Sequence, residues 1–198
     1  MAKQYPIIKS WVKYLEMKEN PKIDDTDFNL KGTSLQLQDN LSVDNYLNLY
    51  KKVGRHYIWN YRPSQSKEKV QEIISNTTTR IYFFIKNDDT IGFSEVGCSD
   101  AQNIEIVHFG LLQSQINKGL GKELFKALLK DLWALSPDRI YLSTCGLDHE
   151  KAVTFYQNAG FSIFKEKGNV EFEDYRYSDF YDMKDAPQIP LAGDKNEL

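Results

Sequence analysis

The sequence predicts an α/β (α+β) fold, a mixed and mostly antiparallel central sheet flanked by about four helices. Short alternating segments joined by turns indicate the sheet, a helical apolar stripe indicates a long helix, and strand–helix–strand steps make the sheet locally parallel. With 198 residues and 41% hydrophobic residues, the chain can bury a sizeable core. We expect one domain over residues 1–185 and a flexible tail over 186–198, which carries prolines and a charged end.

The N-terminal third is predicted to contain two strands and two helices. Both helices begin at serines, which cap helix N-termini by accepting a backbone hydrogen bond. The expected elements are an extra N-terminal strand at about 10–17, a strand at 33–38, a helix from Ser42 to Gly54, and a short helix capped near Ser64 or Ser66.

The central part of the chain carries the clearest strand and helix signals. The polar stretch from Asn87 to Thr90 predicts a hairpin between strands 80–86 and 91–96. A nearly continuous apolar run at 104–112 is typical of a central strand. A long amphipathic helix should follow from Gly119 and end before Pro137. The remaining predictions are a strand at 139–144, a helix at 150–158, and a final strand pair at 161–165 and 170–177.

Composition argues against several classes of function. The formal net charge of −3 offers no basic field, so we expect no nucleic-acid partner. Cys98 and Cys145 are the two cysteines; they form no disulfide framework or metal-ligand spacing, so no metal site is expected. The N-terminus lacks an apolar leader, and no apolar run reaches membrane-spanning length. We therefore expect a cytoplasmic protein without a membrane partner.

The glycine turn before the long helix is the first candidate binding feature. Gly119 and Gly121 would leave the first N–H groups of the helix open to an anion, and Lys118 and Lys122 add positive charge. Such glycines also occur simply to make a tight turn. A P-loop is excluded because Glu123 follows Lys122, and a dinucleotide fingerprint lacks its third small residue and its acid.

A second element lies after this helix. It reads His149-Glu-Lys-Ala-Val-Thr-Phe155-Tyr156-Gln-Asn-Ala-Gly160-Phe161. Together with the glycine turn, in this order, it resembles the signature of the GNAT superfamily of N-acetyltransferases. The amino-acid sequence around Phe109–Leu112 and Thr144–His149 is similar to that of an uncharacterised bacterial branch of that superfamily.

The resemblance implies acetyl-CoA, or coenzyme A, as co-substrate. The residues that it assigns to cofactor binding are Phe109, Leu111, Asn117, Lys118, Gly119, Leu120, Gly121, Lys122 and His149. Two positions depart from the superfamily pattern: Ile116 stands where glutamine or arginine is usual, and His149 where asparagine is common. Pyrophosphate binding would then depend on backbone amides and lysines.

The resemblance also assigns catalytic roles. Tyr156 matches the tyrosine that protonates the coenzyme A thiolate, and Glu105 stands at the position of the general-base glutamate of histone-acetylating members. His108 is a competing base, and Glu105 and His108 each also have a purely structural interpretation. An acyl-cysteine intermediate at Cys145 is disfavoured because no partner base is spaced to activate it.

These assignments predict an enzyme that transfers acetyl from acetyl-CoA to an amine of a small molecule or peptide. The aromatic segment 56–62 and the acidic, tyrosine-containing segment 171–177 would recognise the amine. The alternative is a non-catalytic acyl-CoA-binding module on the same fold. A homodimer is left open by the sequence.

Overall fold

The structure is a computed structural model and describes residues 6–30, 32–59 and 61–174. Seven strands and four α-helices occur within these ranges. In chain order they are β1 (Ile7–Met17), β2 (Thr33–Leu37), α1 (Val43–Gly54), α2 (Lys67–Ile74), β3 (Thr79–Lys86), β4 (Asp89–Asp100), β5 (Asn103–Leu111), α3 (Leu120–Trp133), β6 (Arg139–Cys145), α4 (Ala152–Asn158) and β7 (Ser162–Glu173).

All seven strands form one sheet in the order β2-β3-β4-β5-β6-β1-β7. The β5–β6 pair is parallel, and every other neighbouring pair is antiparallel. The predicted mixed, mostly antiparallel sheet with four flanking helices is therefore confirmed. The predicted tail at 186–198 lies outside the described residues, and the domain limit at 185 stays a prediction.

The local signals act as expected from their chemistry. Ser42 and Ser66 cap α1 and α2, each accepting a backbone N–H from the residue three positions later. Asn87 and Asp88 connect β3 to β4, and both have positive φ (50° and 67°), as a two-residue hairpin turn requires. The apolar stripe of α3 is buried from Leu120 to Trp133 against the sheet.

The predicted final strand pair is wrong. Residues 162–173 form one strand, β7, which pairs with β1 along its length. Gly168 and Asn169, which look like a hairpin turn, form a bulge instead: the register passes from Ser10–Val170 to Val12–Lys167, and Asn169 has φ 53°. Residues 175–177 of the predicted pair lie outside the described part of the chain.

β1 therefore lies between β6 and β7, so the N-terminal extra strand is internal to the sheet. It begins at Ile7, three residues earlier than predicted, because its first residues pair with the end of β7. Alternate β1 side chains are buried, and Leu15 is fully so. This strand supports β6 on the side away from β5.

The β5–β6 pair opens partway along its length. The parallel register runs from Asn103–Arg139 to Ile106–Leu142 and then stops, although both strands continue. Val107 is an extra residue in β5, since His108 faces Glu95 while Ile106 faces Val96 of β4. A bulge of this kind bends the strand and increases its local twist. Beyond Ile106, β5 and β6 part and leave a gap through the sheet.

The helices cover the two faces of the sheet with separate cores. α3 packs on one face, where Phe155 and Tyr156 of α4 join its cluster. α1 and α2 pack on the other face against Ile81 and Phe93. The gap between β5 and β6 therefore connects the α3–α4 face with the face that carries α1 and the segment following it.

A buried ion pair fastens that segment to the sheet. Arg62 and Glu95 are 6% and 1% exposed, and the guanidinium binds the carboxylate through Nε (3.2 Å) and Nη2. Tyr46 of α1 donates its hydroxyl to Glu95 Oε2, and His108 Nδ1 lies 3.3 Å from the same oxygen. Burial alone would raise the pKa of Glu95, but hydrogen bonds and charge from His108 and Arg62 outweigh it and lower this pKa to about 2.

Replacing Glu95 by Gln should destabilise the fold by about 3–5 kcal/mol, because it leaves the Arg62 guanidinium buried without its counter-charge. Urea denaturation measures this loss. Glu72→Gln is the matched control; its exposed pair with Lys69 should contribute less than about 1 kcal/mol. Equal stabilities for the two variants would contradict a structural role for the buried pair.

The same pair predicts an acid transition. Because the folded pKa of Glu95 is below its ordinary 4.5, its contribution is complete above about pH 4.5 and is lost as the pH falls towards 2. The loss should be on the order of 3 kcal/mol. Unfolding free energies measured from pH 6 down to pH 2 should fall more steeply for the unmodified protein than for Glu95→Gln; parallel curves would refute the assignment.

Candidate active site

A cavity of about 690 Å³ occupies the gap between β5 and β6. Its lining includes β5 from Glu105 to Leu111, the glycine turn, the start of α4, and aromatic side chains of the segment between α1 and α2. Both predicted catalytic residues, Tyr156 and Glu105, line it. The structure thus brings together residues from Tyr57 to Phe172 that lie far apart in the chain.

One end of the cavity is formed by the turn that begins α3. Gly119 is the N-cap residue with φ 75°, and Asn117 before it has φ 63°. No side chain caps this helix, so its first N–H groups have no intrahelical acceptor. Glu123 does not fill the position, because its Oε2 accepts the Asn29 N–H at 2.7 Å. This helix end is suited to an anion.

The predicted cofactor residues divide into two groups. Phe109, Leu111, Asn117, Gly119, Gly121, Lys122 and His149 line the cavity. Lys118 and Leu120 do not: the Lys118 ammonium lies 3.4 Å from Gln115 Oε1, and Leu120 is buried in the core. Ile116 also lines the cavity, where its side chain adds apolar surface and no hydrogen bond. Gln115 beside it supplies a side-chain amide to the lining.

Tyr156 lines the cavity and lies in a cluster of aromatic rings. Its ring centroid is 5.4 Å from Phe125 and 5.2 Å from Phe155. Burial, together with the charge of Asp148, raises its pKa above the ordinary value. The phenol is therefore protonated throughout the neutral range, which is the state that a proton donor requires.

Glu105 lies on β5, in the stretch where β5 and β6 are still paired. The Tyr141 hydroxyl, across the strand pair, lies 3.4 Å from its Oε2. Burial and the charge of Glu105 raise the pKa of Tyr141. Glu105 thus presents a carboxylate to the cavity with a neutral hydroxyl as its neighbour.

His108 is engaged at both ring nitrogens. Nδ1 lies 3.3 Å from Glu95 Oε2, and Nε2 lies 3.1 Å from the Tyr50 hydroxyl. Its ring also packs edge-on against Tyr50 at 4.9 Å and beside Trp59 at 5.1 Å. These contacts match the structural interpretation of His108 rather than that of a base with a free nitrogen.

Asp148 is a residue of the cavity that the sequence did not single out. Its Oδ1 accepts the Trp59 indole N–H at 3.0 Å, and its Oδ2 accepts the Thr144 hydroxyl and the Cys145 N–H at 2.8 and 2.9 Å. Trp59 is separated from it by 89 positions, so no sequence pattern could indicate the contact. The bond joins the aromatic segment to the end of β6.

Trp59 itself is fitted against β5 at Gly110. A Cβ at position 110 would lie 2.5 Å from Val53 Cγ1 and 3.0 Å from Trp59 Cη2, so only glycine permits this approach. Gly110 lies between Phe109 and Leu111, the predicted cofactor-binding residues. Of the predicted recognition segment, Tyr57, Trp59 and Tyr61 line the cavity, as does Phe172 of β7.

Two kinds of chemistry receive no support. Burial and the charge of Asp148 raise the pKa of the Cys145 thiol to about 12, so little thiolate forms at neutral pH. Among residues 6–30, 32–59 and 61–174, no group of three or more His, Cys, Asp or Glu is placed to hold a metal ion.

In the same ranges, no helix is long and apolar enough to cross a bilayer.

Several solved structures share this fold. A functionally unknown conserved protein from Staphylococcus epidermidis superposes with a TM-score of 0.60 at 17% identity, over 85% of this chain and 63% of that one. A GCN5-related N-acetyltransferase from Sphaerobacter thermophilus gives 0.63 at 12%, over 86% and 53%. A GNAT family acetyltransferase from Elizabethkingia anophelis with acetyl-CoA bound gives 0.53 at 19%, over 68% and 78%.

This chain thus spans about half to two-thirds of the length of the first two of these proteins. No curated protein matches it. The model of the acetyltransferase (GNAT) family matches residues 46–161, from α1 to the end of the Tyr156 element. Because that match covers more than half of the 198 residues, the chain belongs to the GNAT acetyltransferase family.

Proposed function

We propose that this protein transfers an acetyl group from acetyl-CoA directly to the amine of a small molecule or peptide. The observation that carries the proposal is the cavity between β5 and β6, whose lining joins the uncapped N-terminus of α3 to the Tyr156 phenol and the Glu105 carboxylate. Family membership and the acetyl-CoA-bound relative support the choice of acyl donor.

The donor would lie along β5. Beyond Ile106, the β5 backbone has no pairing with β6, so its polar groups on that edge can bind the amide groups of the pantetheine arm near Phe109 and Leu111. The pyrophosphate would bind at the start of α3, through the N–H groups of residues 117–122 and the Lys122 ammonium. Ile116 stands where the superfamily usually has glutamine or arginine, so the side chain at position 116 would not hydrogen-bond the pyrophosphate.

The chemistry needs a base and an acid. Glu105 would take a proton from the amine, whose nitrogen then forms a bond to the thioester carbon as the carbon–sulfur bond breaks. Tyr156 would give its proton to the departing thiolate. We assign the base to Glu105 rather than His108 because both nitrogens of His108 already have partners.

A non-catalytic acyl-CoA-binding module is the competing function. It would use the glycine turn in the same way but would not need Tyr156 or Glu105. The variants below separate the two functions because they test donor binding and turnover independently.

Gly121→Val should abolish the stabilisation of the protein by coenzyme A. A Cβ at Gly121 meets only ordinary contacts, at 3.8 Å from Leu111 and 4.0 Å from Phe155, so the side chain projects at the cavity lining without disrupting the fold. Coenzyme A at about 100 times its Kd should stabilise the unmodified protein by about 2.7 kcal/mol in a thermal-shift assay. Gly168→Ala, in open space on β7, is the control and should keep that stabilisation.

Tyr156→Phe should lower kcat about 100-fold or more, because the thiolate then leaves without its proton donor. Thiol release measures turnover, and the coenzyme A thermal shift should be unchanged. Tyr14→Phe, on β1 outside the cavity lining, is the matched control with normal kcat. An unchanged kcat for Tyr156→Phe would favour a structural role for this tyrosine.

Glu105→Gln should also lower kcat about 100-fold near neutral pH. The deficit should shrink as the pH rises, because more of the acceptor amine is then already neutral and needs no base. Glu166→Gln, an exposed change on β7, serves as control. A deficit that stays constant up to pH 10 would remove Glu105 from the role of base.

A further inference from the structure

Two carboxylates that line the cavity, those of Asp148 and Glu105, have only neutral hydrogen-bond partners. Asp148 is held by an indole N–H, a hydroxyl and a backbone N–H, and Glu105 has the Tyr141 hydroxyl beside it. Within the part of the chain that the structure describes, neither forms an ion pair with a lysine or arginine. A carboxylate in a partly desolvated cavity is stabilised by a positive charge, which here a ligand can supply.

Two lysines, Lys122 and Lys151, also line the cavity. Lys122 belongs to the first turn of α3, and Lys151 is the N-cap residue of α4. Lys122 therefore stands at the N-terminus of α3, where backbone N–H groups already favour an anion, whereas Lys151 follows Asp148 by three positions. The cavity lining thus combines the N-terminus of α3, suited to phosphates, with the carboxylates of Asp148 and Glu105.

Aromatic rings lie beside Asp148. The ring centroids of Tyr57 and Trp59 are 6.3 Å apart with tilted planes, and Tyr57 lies 6.3 Å from the His149 ring. Burial, and after it the charge of Asp148, raises the pKa of Tyr57. Phe172 completes the lining from β7. Electron-rich ring faces beside a carboxylate attract organic cations.

We propose that the acceptor is an amine that carries no carboxylate, and that it binds as its ammonium ion beside Asp148, against the rings of Tyr57 and Trp59. This inference rests on the proposed acetyl transfer and specifies its substrate class. An amino acid would bring its own carboxylate into a cavity where Asp148 and Glu105 already carry negative charge, and the like charges would repel. Two protons leave the nitrogen during transfer: one goes to Glu105 before attack, and the other, released as the acetyl carbon moves from sulfur to nitrogen, replaces the proton that Tyr156 gives to the thiolate.

Two matched pairs of acceptors test the inference. Cadaverine differs from lysine, and tryptamine from tryptophan, by one carboxylate. We expect kcat/KM, measured by thiol release, to favour the amine over its amino acid at least about tenfold in at least one pair. An equal or higher value for the amino acid in both pairs would overturn the proposal.

Asp148→Asn removes the charge and nearly keeps the shape. It should lower kcat/KM for the favoured amine about 10- to 100-fold, mainly through KM, and should reduce the preference for the amine over its amino acid. Trp59→Phe is the companion variant, because it removes the indole donor and leaves the Asp148 charge in place. If Asp148 merely holds Trp59, both variants will lose activity alike and leave the preference unchanged, which would also overturn the proposal.

Binding without turnover separates this inference from the proposed function. Calorimetric titration of cadaverine and of lysine into the coenzyme A complex should show cadaverine binding that Asp148→Asn weakens. Cadaverine binding without any thiol release would contradict the enzyme but keep the ammonium site. Acetylation of lysine with no preference for cadaverine would keep the enzyme and remove the ammonium site.

Discussion

The parting of β5 from β6 is the constraint on which the rest of this structure depends. An edge of a strand can pair with one neighbour, and past Leu142 the pairing of β6 continues only with β1. The Val107 bulge meanwhile shifts the register between β5 and β4 by one residue, so that β5 stays paired with β4 but turns away from β6. Unpaired backbone groups inside a sheet are costly unless something else binds them. A gap of this kind is therefore stable as part of a ligand site, and it connects the two faces of the sheet.

The walls of that gap are held by contacts remote in sequence. The Arg62–Glu95 pair fixes the segment after α1 to β4, and the Trp59–Asp148 bond fixes it to the end of β6. Because Glu95 also contacts His108, the same buried charge organises the β5 side of the cavity. The opposite wall is mainly apolar and comes from α3 and α4, whose rings surround Tyr156. Buried charges and hydrogen bonds thus hold one wall of the cavity, and apolar packing holds the other.

The residues that could be identified in advance share one property: each belongs to a contiguous motif. Gly119, Gly121 and Tyr156 stand in runs whose spacing is characteristic, and Glu105 is counted from the same glycine turn. Asp148 follows β6 within a motif, yet its role depends on Trp59, 89 positions earlier. Glu95 and Arg62 pair across 33 positions. Nothing next to either residue in the sequence indicates that its charge is buried. Lys118 shows the converse, since it adjoins the turn but is not among the residues that line the cavity.

By itself, the sequence determined the local elements of this protein and the glycine turn at the start of α3. Helix caps, apolar periodicity and the Asn87–Asp88 turn act over a few residues, so their physics is contained in short stretches of chain. Only the tertiary structure decided the place of β1 between β6 and β7, the single long strand β7, and the gap at Ile106. Those features follow from competition among strands for the same edges, and that competition depends on the whole sheet at once.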